Sequence, residues 1–190
     1  MISGEPQTVR RAFALAPGSR LSLEGNSTLH RWSAEATRLV ARVDLAAAPG
    51  AGLREIALAP GVAREIELRV PFSGLKSGEG QLDEKLMAAV KADRFPEAVL
   101  RSTGYDGRAE EHALSLVLQG SLSVAGVEKA VEVAARVVLS SGGARVTGEH
   151  SLKMTDFGVK PPVLLFGALR AADAVVVRWD LKLVEEPPEC

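Results

Sequence analysis

The feature that most constrains the fold is the alternation of apolar and polar residues with a period of two. It is clearest over residues 113–124, 127–139, 144–153 and 175–183. Such alternation is typical of β-strands that bury one face, because successive side chains point to opposite sides of a sheet. The predicted inward face comprises Leu114, Leu116, Leu118, Leu122, Val124, Val131, Val133, Ala135, Val137, Leu139, Ala144, Val146, Gly148, His150, Leu152, Val175, Val177, Trp179, Leu181 and Leu183.

Further strands are predicted from shorter or less regular runs. These runs cover residues 9–15, 21–29, 32–45, 65–70 and 98–103. Short turns such as Ala125-Gly126 join the successive runs, which favours antiparallel pairing, since parallel neighbours need long crossovers. An antiparallel sheet of this size hides its edges best by closing. We therefore predict an all-β fold, a closed antiparallel lipocalin-like β-barrel of about eight strands.

One segment has a helical pattern instead. Over residues 81–93, Leu82, Leu86, Ala89 and Val90 fall on one helix face, and charged residues occupy the other. Pro96 follows and is expected to end the helix. We predict a single helix at about residues 81–93, near the mouth of the barrel.

Length and composition indicate one globular domain. The chain has 190 residues, 46% of them hydrophobic, and a formal net charge of -1. We predict a single domain over residues 1–184 and a disordered tail over residues 185–190.

No cluster of Lys and Arg suggests a nucleic-acid partner, and no apolar run reaches the roughly 20 residues of a transmembrane segment. The single cysteine, Cys190, rules out an internal disulfide.

No motif in the sequence calls for catalysis, a metal or a cofactor. The three histidines have no metal-ligand spacing, and there is no phosphate-binding loop or nucleophile elbow. We therefore predict a protein that is not an enzyme. His150 falls on the inward face, where it is either a core histidine bonded to backbone or water, or a polar contact for a ligand.

Three stretches together resemble the YceI family. They are Ser27-Thr28-Leu29-His30-Arg31-Trp32, the helix with its Asp93-Arg94-Phe95-Pro96 ending, and Leu152-Lys153-Met154-Thr155-Asp156-Phe157-Gly158-Val159-Lys160-Pro161-Pro162. Phe166-Gly167 and the last strand follow, so the resemblance runs from about Arg20 to Leu183. Arg31 stands where this branch of the family more often has an acidic residue.

The resemblance implies an eight-stranded barrel whose elongated cavity holds a polyisoprenoid or a similar amphiphile, such as a quinone-like or fatty-acyl lipid. It also implies a lipid-transport role in the periplasm or elsewhere outside the cytoplasm. The first residues, Met1-Ile-Ser-Gly-Glu-Pro, have no signal-peptide pattern. The chain is accordingly either cytoplasmic or a mature protein with a new start methionine. The oligomeric state stays open, with a homodimer as one alternative.

We predict that the ligand contacts the apolar inward face, the helix and three aromatic residues, and that its head group meets a basic residue of the matched motifs. The predicted ligand-binding residues are Trp32, Leu82, Leu86, Val90, Leu116, Leu118, Leu122, Val133, Val137, Val146, His150, Phe157, Val177 and Trp179. The head-group candidates are His30, Arg94 and Lys160. The alternative is a structural or protein-interaction barrel in which the same apolar residues fill the interior.

Overall fold

The computed structural model describes residues 8–59 and 63–187. The first seven residues lie outside these ranges, as do residues 188–190 of the predicted tail, which include Cys190. The helices are α1 (Leu53–Leu58) and α2 (Gly80–Ala89). The strands are β1 (Val9–Leu15), β2 (Arg20–Ser27), β3 (Arg31–Ala36), β4 (Val40–Ala47), β5 (Ala63–Pro71), β6 (Leu75–Lys76), β7 (Glu97–Ala109), β8 (Leu114–Val124), β9 (Val127–Ser140), β10 (Gly143–Lys153), β11 (Val163–Leu164) and β12 (Leu169–Glu185).

The strands close into an antiparallel barrel with eight positions, which confirms the predicted fold class. Strand β12 pairs with β10 along one edge, and along the other edge it pairs with β2 and then β1. β1 and β2 thus share one position in the barrel, and β3 and β4, which pair with them, share the next. Strands β5, β7, β8 and β9 complete the ring back to β10.

Helix α2 covers one end of the barrel, as predicted, but it is shorter than the predicted 81–93. Lys91 has a left-handed backbone, with a φ of 54°. The Lys91 N–H donates to Ala88 O, and the Ala92 N–H donates to Met87 O. These two bonds form a Schellman motif, which satisfies the last helical carbonyls and ends the helix before Pro96 is reached.

Helix α1 covers the opposite end and was not predicted. Its Ile56 is almost fully buried, and the Ile56 carbonyl accepts a hydrogen bond from the Tyr105 hydroxyl at 3.3 Å. A Cβ on Gly107 of β7 would lie 2.6 Å from Ala57 O. Glycine at position 107 therefore lets α1 rest directly on the strand. A helix of six residues is too short to give a recognisable helical period.

Two irregularities change which residues face inward. The predicted strand over residues 32–45 is interrupted at residues 37–39, where the Thr37 N–H donates to Gly74 O. In β7 the register shifts between Ser102 and Gly104. The Ser102 hydroxyl lies 2.6 Å from Gln119 O and 2.7 Å from Gly104 O, which stabilises this bulge. Beyond it the inward side changes from even-numbered to odd-numbered residues, and Tyr105 points into the barrel.

The pairing of β9 with β10 covers part of their length. Their register runs from Gly143 opposite Ser140 to Thr147 opposite Arg136. In the described chain the register of β10 with β9 ends at Thr147, whereas residues 148–153 stay paired with β12. The pairing of β9 with β10 thus stops short of the end covered by α2. We call the stretch beyond it the β9–β10 seam.

Candidate ligand-binding site

A cavity of about 320 Å³ runs through the interior of the barrel. Its wall extends from Leu53 and Tyr105 beside α1 to Leu86 and Phe157 beside α2. Almost every lining side chain is apolar. The volume falls within the roughly 300–1,000 Å³ range of small-molecule sites. The alternative of a structural barrel required apolar side chains to fill the interior. The cavity shows that they do not fill it.

Most of the residues predicted to contact a ligand lie in the cavity wall. Two do not line it: Trp32 and Leu82 are buried in the packed cluster between α2 and the sheet. The Trp32 indole N–H donates to Asn26 O at 3.3 Å. The predicted residues in the wall are Leu86, Val90, Leu116, Leu118, Leu122, Val133, Val137, Val146, His150, Phe157, Val177 and Trp179.

The small residues of the predicted inward face have two different roles. Ala135 and Ala144 line the cavity. Gly148 instead accommodates an aromatic ring, because a Cβ there would lie 2.5 Å from Cζ2 of Trp179. The space at Gly148 is thus filled by the indole, whose other side faces the cavity.

Few polar side chains belong to the wall, and most of them have partners. The Asp83 carboxylate accepts hydrogen bonds from the Ser77 N–H at 2.8 Å and hydroxyl at 2.6 Å. The Glu67 carboxylate is bonded to Arg69 and Arg101, which lowers its pKa. Burial raises the pKa of the Tyr105 hydroxyl above its ordinary value. All three groups are held in place by the protein itself.

His150 differs from these groups. It lies opposite Val177 on β12 and borders the β9–β10 seam on its other side. Within the described chain its imidazole forms no hydrogen bond or ion pair, although it belongs to the cavity wall. A neutral imidazole has one donor and one acceptor nitrogen. His150 therefore offers a hydrogen-bonding group within an otherwise apolar wall.

The three basic residues predicted to meet a head group do not line the cavity, but all lie at the end covered by α2. The His30 imidazole is 3.8 Å from the Glu79 carboxylate. The Arg94 guanidinium lies 5.5 Å from the centre of the Phe95 ring. Lys160 follows Val159, which is buried in the cluster around α2, and is itself exposed. Each side chain is thus on the rim rather than inside the barrel.

Several residues of the wall beside α1 were not among the predicted residues. They include Phe13, Leu45, Leu53, Ile66 and Tyr105. Phe13 and Leu45 lie on predicted strands, and their alternation could have placed them inward. No periodic signal pointed to Leu53 on the short helix, or to Tyr105 beyond the bulge.

In residues 8–59 and 63–187, no three His, Cys, Asp or Glu side chains gather closely enough to hold a metal ion. None of the helices in the same residues has the length and apolar character needed to cross a bilayer.

Comparison with known proteins gives one family and several structures. The model of the YceI-like domain matches residues 25–183. Comparison with curated protein sequences gives no significant match.

The solved structures are similar in fold at low sequence identity. BcnA of Burkholderia cenocepacia has a TM-score of 0.67 at 15% identity, over 86% of this chain and 95% of BcnA. A polyisoprenoid-binding domain from Saccharophagus degradans has a TM-score of 0.69 at 14% identity, over 92% of this chain and 98% of the domain. The YceI protein of Campylobacter jejuni has a TM-score of 0.56 at 14% identity, over 80% of this chain and 82% of the Campylobacter protein.

Proposed function

The chain belongs to the YceI-like family, and from this premise we propose that it binds the hydrocarbon tail of a long amphiphile, a polyisoprenoid or similar lipid, inside the barrel. The observation that carries the proposal is the continuous apolar cavity between α1 and α2. The resemblance in fold to a domain named for polyisoprenoid binding supports the choice of ligand class.

The physical chemistry of a hydrocarbon tail fits this wall. A tail has no groups that need hydrogen bonds, so Leu, Val and Ala side chains are sufficient to hold it. Each buried methylene gains about 0.8 kcal/mol, and a tail of about 15 methylenes gains about 12 kcal/mol. Association costs about 4–15 kcal/mol, so a long tail is needed to reach useful affinity. The part of a longer tail that exceeds the cavity would lie outside it or widen the barrel.

We propose that the polar end of the ligand faces α2 and its tail points toward α1. At the α1 end, Ile56 and Tyr105 form an apolar, hydrogen-bonded closure. At the α2 end, His150 supplies an unpaired polar group inside the wall, and Arg94 and Lys160 supply positive charge on the rim, where His30 also lies. The β9–β10 seam, where the register between the two strands has ended, also lies toward α2.

We further propose that the protein acts as a non-catalytic lipid carrier outside the cytoplasm. Binding a tail requires shape and apolar surface, and no step in this role needs a nucleophile or a general base. Specificity would then depend on the length of the cavity and on the few polar groups near α2.

The proposal is tested by delipidation followed by binding. The protein is stripped with organic solvent, refolded and titrated with cis-parinaric acid, and geranylgeraniol is used as a competitor. We expect saturable fluorescence enhancement and displacement by the prenyl alcohol. The matched variants are Leu118→Asp, which places a charge in the cavity wall, and Ser121→Asp on the outer face of the same strand. Equal binding by both variants, or no binding by the wild type, would refute the proposal.

A further inference from the structure

Four exposed apolar side chains lie at the rim of the end covered by α2, and we call them the rim patch. Leu29 is 63% exposed, Val163 44% and Leu165 56%. The fourth residue, Phe166, is completely exposed. The remaining large exposed hydrophobic residues in the described ranges are valines on strands. Isolated valines on an outer sheet face are ordinary, whereas a cluster containing Leu and Phe is not.

Hydrogen bonds bring the two parts of the rim patch together. Thr28, which precedes Leu29 in the β2–β3 turn, donates from its hydroxyl to Ala168 O at 2.9 Å. The Thr28 N–H also donates to Arg170 O, and the Arg170 N–H donates to the Thr28 hydroxyl. The turn containing Leu29 is therefore fixed beside the loop containing Leu165 and Phe166.

The loop holds its two large residues in a backbone conformation that they rarely adopt. Leu165 and Phe166 have φ values of 51° and 53°, in the left-handed region, and Gly167 follows with 97°. The Ala168 N–H donates to Leu165 O and closes the turn. Strain of this kind persists where the surroundings impose it, and it is often found at functional surfaces. Here it projects the Phe166 ring away from the protein.

Cations without carboxylate partners flank the rim patch. Arg170 reaches back to the Gly167 carbonyl through its Nε, at 3.4 Å. Arg31 follows the β2–β3 turn, and Lys160 precedes β11 in sequence; both are exposed. In the described part of the chain none of these three side chains forms an ion pair. Exposed apolar residues beside cations that form no ion pair are a combination that favours binding to the surface of an anionic bilayer.

We propose that the rim patch inserts into the surface of an anionic phospholipid membrane and places the α2 end of the barrel against it. This rests on the proposed function, since it would let a lipid pass between bilayer and cavity without crossing water. The apolar side chains would enter the region between head groups and acyl chains, and the cations would contact lipid phosphates.

The test is flotation with vesicles at low ionic strength. One set contains equal parts phosphatidylglycerol and phosphatidylcholine, and the other contains phosphatidylcholine alone. We expect the wild type to float with the anionic vesicles and to be released by added salt. L165N/F166N should lose binding by at least about tenfold, because the inserting apolar area is removed. R170Q should weaken binding to the anionic vesicles and leave the weak binding to phosphatidylcholine unchanged.

The controls separate membrane binding from folding and from ligand binding. Asparagine tolerates the left-handed region, so L165N/F166N should melt at or above the wild-type temperature. V40N, which changes an exposed apolar residue of β4 outside the rim patch, should bind vesicles like the wild type. In solution, L165N/F166N should bind cis-parinaric acid with unchanged affinity.

Three results would overturn the inference. The first is a wild-type protein that binds cis-parinaric acid but no vesicles, which would leave the proposed function standing. The second is vesicle binding by L165N/F166N equal to that of the wild type. The third is a wild-type dimer that L165N/F166N converts to a monomer in sedimentation velocity, since a second copy would then cover the patch.

Discussion

The Trp179 indole lies against the bare backbone of Gly148, the residue directly opposite it on the neighbouring strand. The same relationship joins Trp32 and Gly25, which are paired across β2 and β3. In both pairs an added Cβ would lie 2.5 Å from Cζ2 of the indole. Each glycine thus provides the room that a tryptophan needs within the wall of the barrel.

We predict that Gly148→Ala destabilises the protein by about 1–3 kcal/mol, as overpacking in a core does. The new methyl group would displace the Trp179 ring toward the cavity and would also crowd Ala134 O, which lies 2.8 Å from the Cβ position. Urea denaturation of the wild type and the variant measures this change in the free energy of unfolding. In a Trp179→Leu background the cost should fall, and an equal cost in both backgrounds would show that the indole is not the obstacle.

The hollow interior predicts opposite effects for two similar substitutions. Ala135 lines the cavity, whereas Ala34 is completely buried in the packed cluster beside α2. Ala135→Leu should leave the melting temperature unchanged or raise it, because the larger side chain enters empty space. It should also weaken binding of cis-parinaric acid. Ala34→Leu should destabilise by about 1–3 kcal/mol. Comparable destabilisation by both would argue for a filled barrel.

For His150 we predict a role in recognising the polar end of the ligand. His150→Leu should weaken competition by a long-chain alcohol about 2- to 10-fold, since one hydrogen bond contributes about 0.5–1.5 kcal/mol net. Competition by the alkane of equal length should not weaken. Val146→Leu, on the same face of β10, should affect both competitors equally. If His150→Leu does the same, the imidazole is part of the packing alone.

The tyrosine at position 105 allows a direct test of the α1 end, because it is the single tyrosine of the chain. Burial raises its pKa from the ordinary value of 10.0, so the folded state favours the neutral hydroxyl. The associated stability is intact below pH 10 and is lost as the pH rises through the raised pKa. Absorbance titration should give a higher pKa in the folded than in the unfolded protein. Tyr105→Phe should reduce the alkaline loss of stability, and equal pKa values would contradict the buried position.

The sequence was sufficient to predict the part of the wall where alternation is uninterrupted. Leu118, Val133 and Val137 lie on β8 and β9, which pair with each other without a register shift, so period two assigns their direction correctly. The barrel class follows from the same strands and from their short connections.

Elsewhere the direction of a side chain depends on tertiary contacts that no local pattern records. Tyr105 turns inward because Ser102 stabilises a bulge by bonding to β8. Trp32 and Leu45 both face the inside of the barrel, although one residue number is even and the other is odd. Strict alternation does not connect them, because the strand is interrupted at residues 37–39. The Trp179 indole, rather than a ligand, occupies the space at Gly148. This contact depends on the register between β10 and β12, which the sequence alone does not give.

The most direct test of the account is a crystal structure of the protein with a bromine-labelled long-chain alcohol. We predict an anomalous bromine signal inside the barrel, between Leu118 and Val177, with the alcohol oxygen nearer His150 and α2 than Tyr105. A structure in which opposing wall residues meet in the middle of the barrel, and no bromine signal lies within it, would contradict the account.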